Sequence, residues 1–456
     1  MLFSTIPFLY FFLPLVLFVN NVLLRKHIKY QNIFLLLSSL FFYAWGEPTF
    51  VFVMLLSILV NWGFGLWVDK KREDKTMILS LMLLFNLSLI FVFKYLMFTM
   101  EVINEAFDAH LRVPIINLPI GISFFTFQSI SYVIDIYRRH GEVQKNPLNV
   151  GLYISFFPQL IAGPIVRYET VAAEINDRSV TWNDFSEGVE RFIIGLGKKV
   201  LLANNFAVIA DHIFSLLPDY LDFPLAWLGA ISYTLQIFFD FSGYSDMAIG
   251  LGRMFGFHFL ENFNYPYISK SIGEFWRRWH ISLGSWFRDY VYIPLGGNRV
   301  PLLTVYRNLF VVWLLTGIWH GANWTFIVWG LMYFVLLSFE KLVGFEKRGF
   351  RFWPHIYTLL FVIVGWVIFR SNTLLEAWNY LGVMFTPRIP ESSPLFLFYI
   401  CEYKWWLLLG LLFSVPILYR KKLPAVLSSI WCLFVFYLCI VYVTKGGYNP
   451  FIYFNF

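Results

Sequence analysis

Long apolar runs separated by short charged loops make up most of the chain. The first run, Leu2–Leu24, ends at the basic loop Arg25–Lys29, and a later run, Met77–Met100, follows the charged loop Asp69–Lys75. A helix needs about 20 mainly apolar residues to cross a bilayer. The pattern therefore predicts an all-α polytopic membrane protein with about 10–12 membrane helices, to which re-entrant or interfacial helices are added.

Glycine and proline interrupt two of these runs. Gly46–Pro48 separates the short apolar run Ile33–Trp45 from Phe50–Val68, which predicts a hairpin or two thin spans. Leu148–Val166 contains two prolines and a glycine, which predicts a broken or re-entrant helix. Broken backbone at membrane depth is tolerated where it is buried in protein or lines a wet cavity.

The last third of the chain is also mainly apolar. It contributes four predicted membrane segments and one basic anchor: Ile356–Phe369, Leu374–Phe385, Trp405–Leu418, Val426–Val443 and Arg420–Lys422. No repeat, low-complexity linker or soluble domain interrupts the chain. We therefore expect one integral membrane domain over residues 1–456, with its motif-bearing core at about residues 118–342.

Composition also indicates a membrane protein, and the net charge has to be interpreted in that setting. Of the 456 residues, 59% are hydrophobic and only 14% are charged, whereas soluble domains carry roughly 25% charged residues. The net charge of +7 comes from bases at the ends of apolar runs, which is typical of a positive-inside bias and contact with anionic lipid headgroups. We expect no nucleic-acid partner, and the three cysteines lack the spacing of a metal or redox site.

One histidine lies inside a predicted pair of membrane segments. His320 belongs to the stretch Thr316–Trp324, between the runs Leu302–Trp319 and Trp324–Leu342. Ionisable residues within membrane segments usually face a protein interior or a wet cavity, and imidazole can move protons near neutral pH. Spacing alone leaves two alternatives open: a functional histidine, or a packing residue bonded to a backbone carbonyl.

The segment Glu274–Asp289 is rich in arginine and tryptophan and contains His280. Helical spacing predicts one amphipathic helix with a polar and an aromatic side, the latter formed by Phe275, Trp279, Ser282 and Trp286. Such a helix suits an interfacial or re-entrant position. Its arginines can bind lipid phosphates or a phosphate-bearing substrate.

Two carboxylates lie in the long apolar run Leu225–Leu251. Asp240 and Asp246 are separated by about 600° at ~100° per residue, so they point to different sides of a helix. We expect each to pair with an arginine or to line a polar cavity. The chain has no serine nucleophile elbow, phosphate-binding loop or zinc-binding His-Glu-x-x-His motif, which by elimination leaves general base catalysis by a histidine.

Several segments together resemble the membrane-bound O-acyltransferase (MBOAT) superfamily, and most closely its bacterial branch with the membrane subunit of alginate O-acetyltransferase. The matching segments extend over nearly the whole chain: Phe42–Pro48, Leu118–Gln128, Phe157–Tyr168, Phe239–Ala248, Glu274–Leu283, Trp286–Arg299, Trp319–Ala322 and Pro450–Phe454. Any one of them alone would be a weak match, whereas all of them in order are specific.

The resemblance implies a ring of tilted helices around a central funnel or tunnel, and acyl transfer from a thioester to a hydroxyl. It implies that His320 is the catalytic residue and His280 a second active-site residue. Five further residues are not carried over from the family, and we expect them, as weaker candidates, to line the cavity: Asp240, Tyr244, Asp246, Arg278 and Asn323. Whether His320 acts only as a base or carries the acetyl group transiently stays open.

The resemblance also implies substrates and partners. The donor would be cytoplasmic acetyl-CoA, a substrate rather than a permanently bound cofactor, and no metal is expected. The acceptor would be an extracytoplasmic polysaccharide such as alginate or peptidoglycan, often reached through an esterase-like partner protein, and the location the bacterial cytoplasmic membrane. Two alternatives remain: D-alanyl transfer to teichoic acid, and a polysaccharide or acyl-group transporter, which broken helices and intramembrane carboxylates would also suit.

Overall fold

The computed structural model describes residues 1–70, 74–217, 220–345, 352–386, 393–416 and 424–452. The predicted basic anchor Arg420–Lys422 lies outside these residues. Within them, every regular element is a helix. In chain order the helices are α1 (Pro7–Leu23), α2 (Ile28–Gly46), α3 (Val51–Lys70), α4 (Lys75–Phe107), α5 (Ile122–Arg138), α6 (Pro147–Ser155), α7 (Phe157–Leu160), α8 (Tyr168–Asn176), α9 (Trp182–Phe214), α10 (Phe223–Met254), α11 (Ile272–Arg278), α12 (Ile281–Phe287), α13 (Leu302–His320), α14 (Trp324–Val343), α15 (Trp353–Arg370), α16 (Leu374–Phe385), α17 (Pro394–Phe413) and α18 (Ala425–Thr444).

Eight helices of the described part are long and apolar enough to cross a membrane: α3, α4, α9, α13, α14, α15, α17 and α18. Helix α1 is apolar but shorter. Helices α2 and α10 are as long as these eight but carry more polar side chains, so their mean hydropathy is lower. The predicted all-helical, multi-span architecture is confirmed.

The predicted interruptions are present. Helix α2 ends at Gly46 and α3 begins at Val51, so the Gly-Glu-Pro sequence separates two helices. The segment predicted to be broken contains α6 and the single turn α7, and the backbone of Phe156 between them is extended, with φ −55° and ψ 113°. Pro158, in the first turn of α7, favours this break, because proline lacks the N–H that a continuous helix would need.

Two predicted segments have different bounds. We predicted one helix over Glu274–Asp289, but the chain leaves the helical conformation at Trp279 and His280 and forms α11 and α12. We also predicted a span at Trp405–Leu418, whereas α17 covers Pro394–Phe413. Its charged residues Glu402 and Lys404 are exposed, so they do not interrupt the helix.

The chain forms two compact units. One comprises Met1–Ile193 and Tyr244–Leu260, and the other comprises Ile194–Gly243 and Glu261–Phe456. Both candidate histidines belong to the second unit. The single membrane domain inferred from the sequence stays a prediction, as does the central funnel.

Close packing of α13 on α14 places His320. A Cβ on Gly317 would lie 2.5 Å from the carbonyl oxygen of Phe326, and one on Gly330 would lie 2.5 Å from that of Trp313. Both distances are too short for a side chain, so glycine is required at both positions. Small residues at such contacts let two membrane helices approach closely. The hairpin predicted around His320 is therefore present and tightly packed.

Candidate active site

His320 is the last residue of α13 and is surrounded by aromatic rings. Its imidazole is 7% exposed. The ring centroids of Trp329 and Phe369 lie 4.9 and 5.0 Å away, both nearly perpendicular to the imidazole, and that of Trp319 lies 5.0 Å away. Helices α13, α14 and α15 therefore all contribute to this environment. Such a low-dielectric setting strengthens electrostatic interactions with a bound substrate.

His280 lies in the short break between α11 and α12. Its backbone is left-handed, with φ 45° and ψ 53°, and the preceding Trp279 is extended. A left-handed residue other than glycine carries strain of about 1–3 kcal/mol, and such strain is concentrated at functional sites. The ring of Phe241, from α10, contacts the imidazole edge-on at 4.6 Å.

Asn262 holds this break in place. Its backbone carbonyl accepts a hydrogen bond from the N–H of Ile281 at 3.0 Å, and its Oδ1 accepts one from the N–H of Ser282 at 3.1 Å. The same Oδ1 lies 3.2 Å from Nδ1 of His280. Asn262 therefore satisfies backbone N–H groups at the start of α12, which would otherwise lack partners. Together with the hydrogen bond from the N–H of Asn264 to the carbonyl of Arg278 at 2.9 Å, these contacts stabilise a break where helical periodicity predicts one helix.

The imidazole of His280 is neutral at physiological pH. Burial lowers the pKa of His280 to about 3, because a low-dielectric environment disfavours the charged form. The Nε2 atom is buried and has no hydrogen-bond partner among the residues that the structure describes. Buried polar atoms are usually paired. Nε2 is therefore a candidate hydrogen-bonding atom for a bound molecule.

Trp319 lies beside both histidines. Its ring centroid is 6.0 Å from that of His280 and 5.0 Å from that of His320. The structure therefore brings the two predicted catalytic histidines to the same indole, although 40 positions separate them in the sequence.

Asp240 is engaged in a buried ion pair. Its Oδ1 lies 2.8 Å from Nζ of Lys199, and the two side chains are 2% and 3% exposed. Its Oδ2 accepts a hydrogen bond from the N–H of Ile452 at 3.0 Å. The expectation that Asp240 is paired is confirmed, but its partner is a lysine rather than an arginine.

Tyr244 and Asp246 lie on the part of α10 that belongs to the first unit. The ring of Tyr244 stacks on Phe3 with centroids 4.5 Å apart. Asp246 pairs with Arg191, whose Nη2 lies 2.6 Å from Oδ1, as expected for a carboxylate in this run.

Arg278 and Asn323 make local contacts. The guanidinium of Arg278 pairs with Glu274 at 2.9 Å and donates to the backbone carbonyl of Asn264 at 3.1 Å. Oδ1 of Asn323 caps α14 by accepting from the N–H of Thr325 at 3.1 Å, and its Nδ2 donates to the carbonyl of Asn372 at 2.7 Å. These contacts position the two turns, and their roles toward a substrate stay predictions.

Two residues at this site were missed by sequence reasoning. Asn262 is fully buried, but a single asparagine in a loop carries no signal of its own. Lys199 did carry a signal, since a lysine in the middle of an apolar segment is costly. It is buried within a π-helical turn of α9, Lys198–Ala203. Among the described residues, no group of three or more metal-ligating side chains is present.

Known proteins with similar sequences agree on one family. A sequence model of the membrane-bound O-acyltransferase family matches residues 37–375. A probable alginate O-acetylase AlgI of Pseudomonas syringae pv. tomato is 45% identical over 400 residues, which cover 85% of this chain and 75% of that protein. The peptidoglycan O-acetyltransferase of Helicobacter pylori is 38% identical over 421 residues, covering 84% and 80%. The teichoic acid D-alanyltransferase of Bacillus subtilis is 30% identical over 281 residues, covering 56% and 69%.

Proposed function

The chain belongs to the membrane-bound O-acyltransferase family, and we propose that this multi-pass membrane acyltransferase passes acetyl groups from cytoplasmic acetyl-CoA to hydroxyls of an extracytoplasmic polysaccharide. The observation that carries the proposal is the similarity, over about 85% of the chain, to proteins named as alginate and peptidoglycan O-acetyltransferases. Acetyl transfer across a thin protein wall also avoids moving the polyanionic CoA through the bilayer.

His320 is the general base in this proposal. Its neutral imidazole takes the proton of the acceptor hydroxyl while the hydroxyl oxygen attacks the carbonyl carbon of the acetyl thioester. A C–O bond forms, the C–S bond breaks, and the departing thiolate takes the proton from the imidazolium. The products are an acetyl ester and free CoA thiol. The aromatic surroundings of His320 exclude water, which would otherwise compete with the acceptor.

His280 is the second active-site residue in this proposal. Its place beside the same tryptophan as His320, its strained backbone and its unpartnered Nε2 support this role. The five weaker candidates, Asp240, Tyr244, Asp246, Arg278 and Asn323, stay proposals as substrate or cavity residues.

The setting of the reaction is part of the proposal. We place the protein in the bacterial cytoplasmic membrane, in contact with lipids, with an esterase-like partner protein that hands the acetyl group to the polymer. The basic loops, such as Arg25–Lys29, suit the side from which an anionic donor approaches.

The test is acetylation by membranes that contain the protein. Vesicles from a strain that makes the protein, its proposed partner and an acceptor polymer would receive acetyl-CoA with a labelled acetyl group, and mass spectrometry would read the polymer. We expect labelled ester in the wild type and a loss of at least about 100-fold in His320→Ala, since a general base contributes on the order of 10²–10⁴-fold.

The matched control is His110→Ala. Its side chain is 87% exposed and its Nε2 lies 3.8 Å from Oδ1 of the similarly exposed Asp108, so its removal should leave acetylation unchanged. Immunoblotting of membranes would establish that both variants reach the bilayer at equal levels. Normal acetylation by His320→Ala would refute the proposed base.

D-alanyl transfer to teichoic acid is the second candidate, since the D-alanyltransferase of Bacillus subtilis is 30% identical. That match covers 56% of this chain, whereas the matches to O-acetyltransferases cover about 85%. The same mass spectra separate the two candidates, because an alanyl ester and an acetyl ester differ in mass. Solute movement without consumption of acetyl-CoA would instead favour the transporter.

A further inference from the structure

We propose that Asn262 is a positioning residue that fixes the Nδ1–H tautomer of His280, so that Nε2 offers its lone pair to a hydrogen-bond donor of the substrate. One part of the proposal, that a substrate binds beside His280, rests on the proposed function. The state of the imidazole itself follows from contacts within the protein.

The first step is the orientation of the Asn262 amide. The backbone N–H of Ser282 can only donate, and it points at Oδ1 of Asn262 at 3.1 Å. The atom at that position must therefore be the amide oxygen rather than the amide nitrogen. The hydroxyl of Ser282 lies 2.9 Å from the same oxygen, which it can reach as a donor.

The second step is the imidazole proton. Nδ1 of His280 lies 3.2 Å from the same Oδ1. Because an amide oxygen accepts but never donates, an attractive contact requires the proton on Nδ1. The hydroxyl of Ser282, 3.4 Å from Nδ1, agrees with this, because it can accept from the N–H as well. Two lone pairs facing each other would result from the other tautomer.

The third step is the consequence at the other nitrogen. Since burial keeps the ring neutral, a proton on Nδ1 leaves Nε2 as an acceptor. Nε2 is buried and unpartnered among the described residues, in a ring that contacts Trp319 and Phe241. Leaving a buried acceptor unsatisfied is unfavourable, and a bound donor group removes part of that cost.

The final step is the kind of group that binds. In the proposed reaction, the proton of the reacting hydroxyl goes to His320, so it is not available to His280. Nε2 therefore binds another N–H or O–H group of a substrate. A neighbouring hydroxyl of the acceptor sugar and an amide N–H of the CoA arm share this chemistry, and kinetics distinguish them.

The direct test is the tautomer. Solid-state NMR of the full-length protein in lipid bilayers, labelled with ¹⁵N and ¹³C at histidine, would report the protonation of each ring nitrogen. The sequence has 8 histidines, so the spectrum of His280→Asn would identify the signals of His280. We expect a proton on Nδ1 and an unprotonated Nε2. A proton on Nε2 would overturn the proposal, whether or not the protein acetylates a polymer.

Two substitutions connect the tautomer to activity. Asn262→Leu removes the acceptor and should lower kcat/KM about tenfold, the equivalent of one hydrogen bond. Asn262→Asp keeps an oxygen acceptor but adds a negative charge next to the ring, so it should keep the tautomer and raise the pKa of His280. The ring ¹⁵N signals of His280 should then titrate at higher pH than in the wild type, a change that loss of packing alone would not produce.

The kinetics also locate the bound group. In Asn262→Leu, an increase of KM confined to acetyl-CoA supports a donor group on CoA, and one confined to the polymer supports a donor group on the sugar. The control Asn264→Leu removes an exposed asparagine two positions away and should change neither constant. Unchanged kinetics in Asn262→Leu would overturn the proposal. Inactive wild-type protein with the expected tautomer would instead refute only the proposed function.

Discussion

Lys199 and Asp240 form an ion pair in which Nζ and Oδ1 are 2.8 Å apart and both side chains are almost fully buried. The same two side chains also hold a later segment of the chain. Nζ of Lys199 donates to the carbonyl of Pro450 and to Oδ1 of Asn204, and Asp240 accepts from the N–H of Ile452. One buried pair thus connects α9, α10 and the residues that follow α18.

The first prediction concerns this pair. Lys199→Met should lower the free energy of unfolding by about 3–5 kcal/mol, because it leaves a buried carboxylate without its counter-charge. The double variant Lys199→Met/Asp240→Leu should be closer to the wild type, since it removes both charges. Thermal unfolding in detergent measures the difference. A double variant less stable than the single one would contradict this explanation.

The second prediction concerns the contact between α13 and α14. Gly330→Val should destabilise the hairpin and reduce activity, because its Cβ would lie 2.5 Å from the carbonyl oxygen of Trp313 and force the helices apart. A glycine with open space, Gly63 in α3, provides the control, and Gly63→Val should cost much less. Thermal unfolding and acetylation assays on both variants check this. Equal losses would show that helix propensity rather than packing decides the outcome.

The third prediction concerns pH. The pKa of His280 in the folded protein is about 3, below its unfolded value of about 6.5. The unfolded chain therefore gains a proton first as pH falls, and the stability that His280 contributes above pH ~6.5 is lost progressively toward pH ~3.

At pH ~5.5 this loss amounts to about 1.4 kcal/mol relative to pH ~7.5. The non-titrating variant His280→Asn should lose less stability over the same interval. Unfolding midpoints of both proteins at several pH values measure the difference. Parallel curves for the two proteins would rule out His280 as the group responsible.

The fourth prediction concerns the turn after His320. Asn323→Ala should cost about 0.5–2 kcal/mol, because the first turn of α14 loses its side-chain cap. Asn323→Asp keeps an oxygen that can accept from the N–H of Thr325 and should retain most of the stability. If the two variants were equally unstable, the Nδ2 bond to Asn372 would be the more important contact. Urea unfolding compares them.

The pattern of apolar and polar residues was enough to predict most of the helices and two of the breaks between them. The interruption between α2 and α3 and the break after Ser155 follow from local backbone chemistry, because glycine and proline act on their immediate neighbours. The hairpin around His320 was predictable from the two apolar runs that flank it. The segments that resemble the acyltransferase family identified His320 and His280 as candidates before any contact was known.

Contacts between distant residues were not predictable in this way. Helical periodicity predicts one continuous helix over Glu274–Asp289. Tertiary hydrogen bonds of Asn262 and Asn264 stabilise the break between α11 and α12, where His280 lies beside Trp319. The identity of the partner of Asp240 was likewise undetermined, since any buried cation would satisfy a carboxylate.

The sequence by itself therefore determined the helical class and the family and nominated two histidines as candidates, because these depend on residue type and local spacing. Only the tertiary structure decided which nitrogen of His280 accepts a hydrogen bond and which cation neutralises Asp240. Asn262 and His280 are 18 positions apart, and Lys199 and Asp240 are 41 apart. At such separations no local preference of the backbone sets the geometry, and packing of the whole unit must do so.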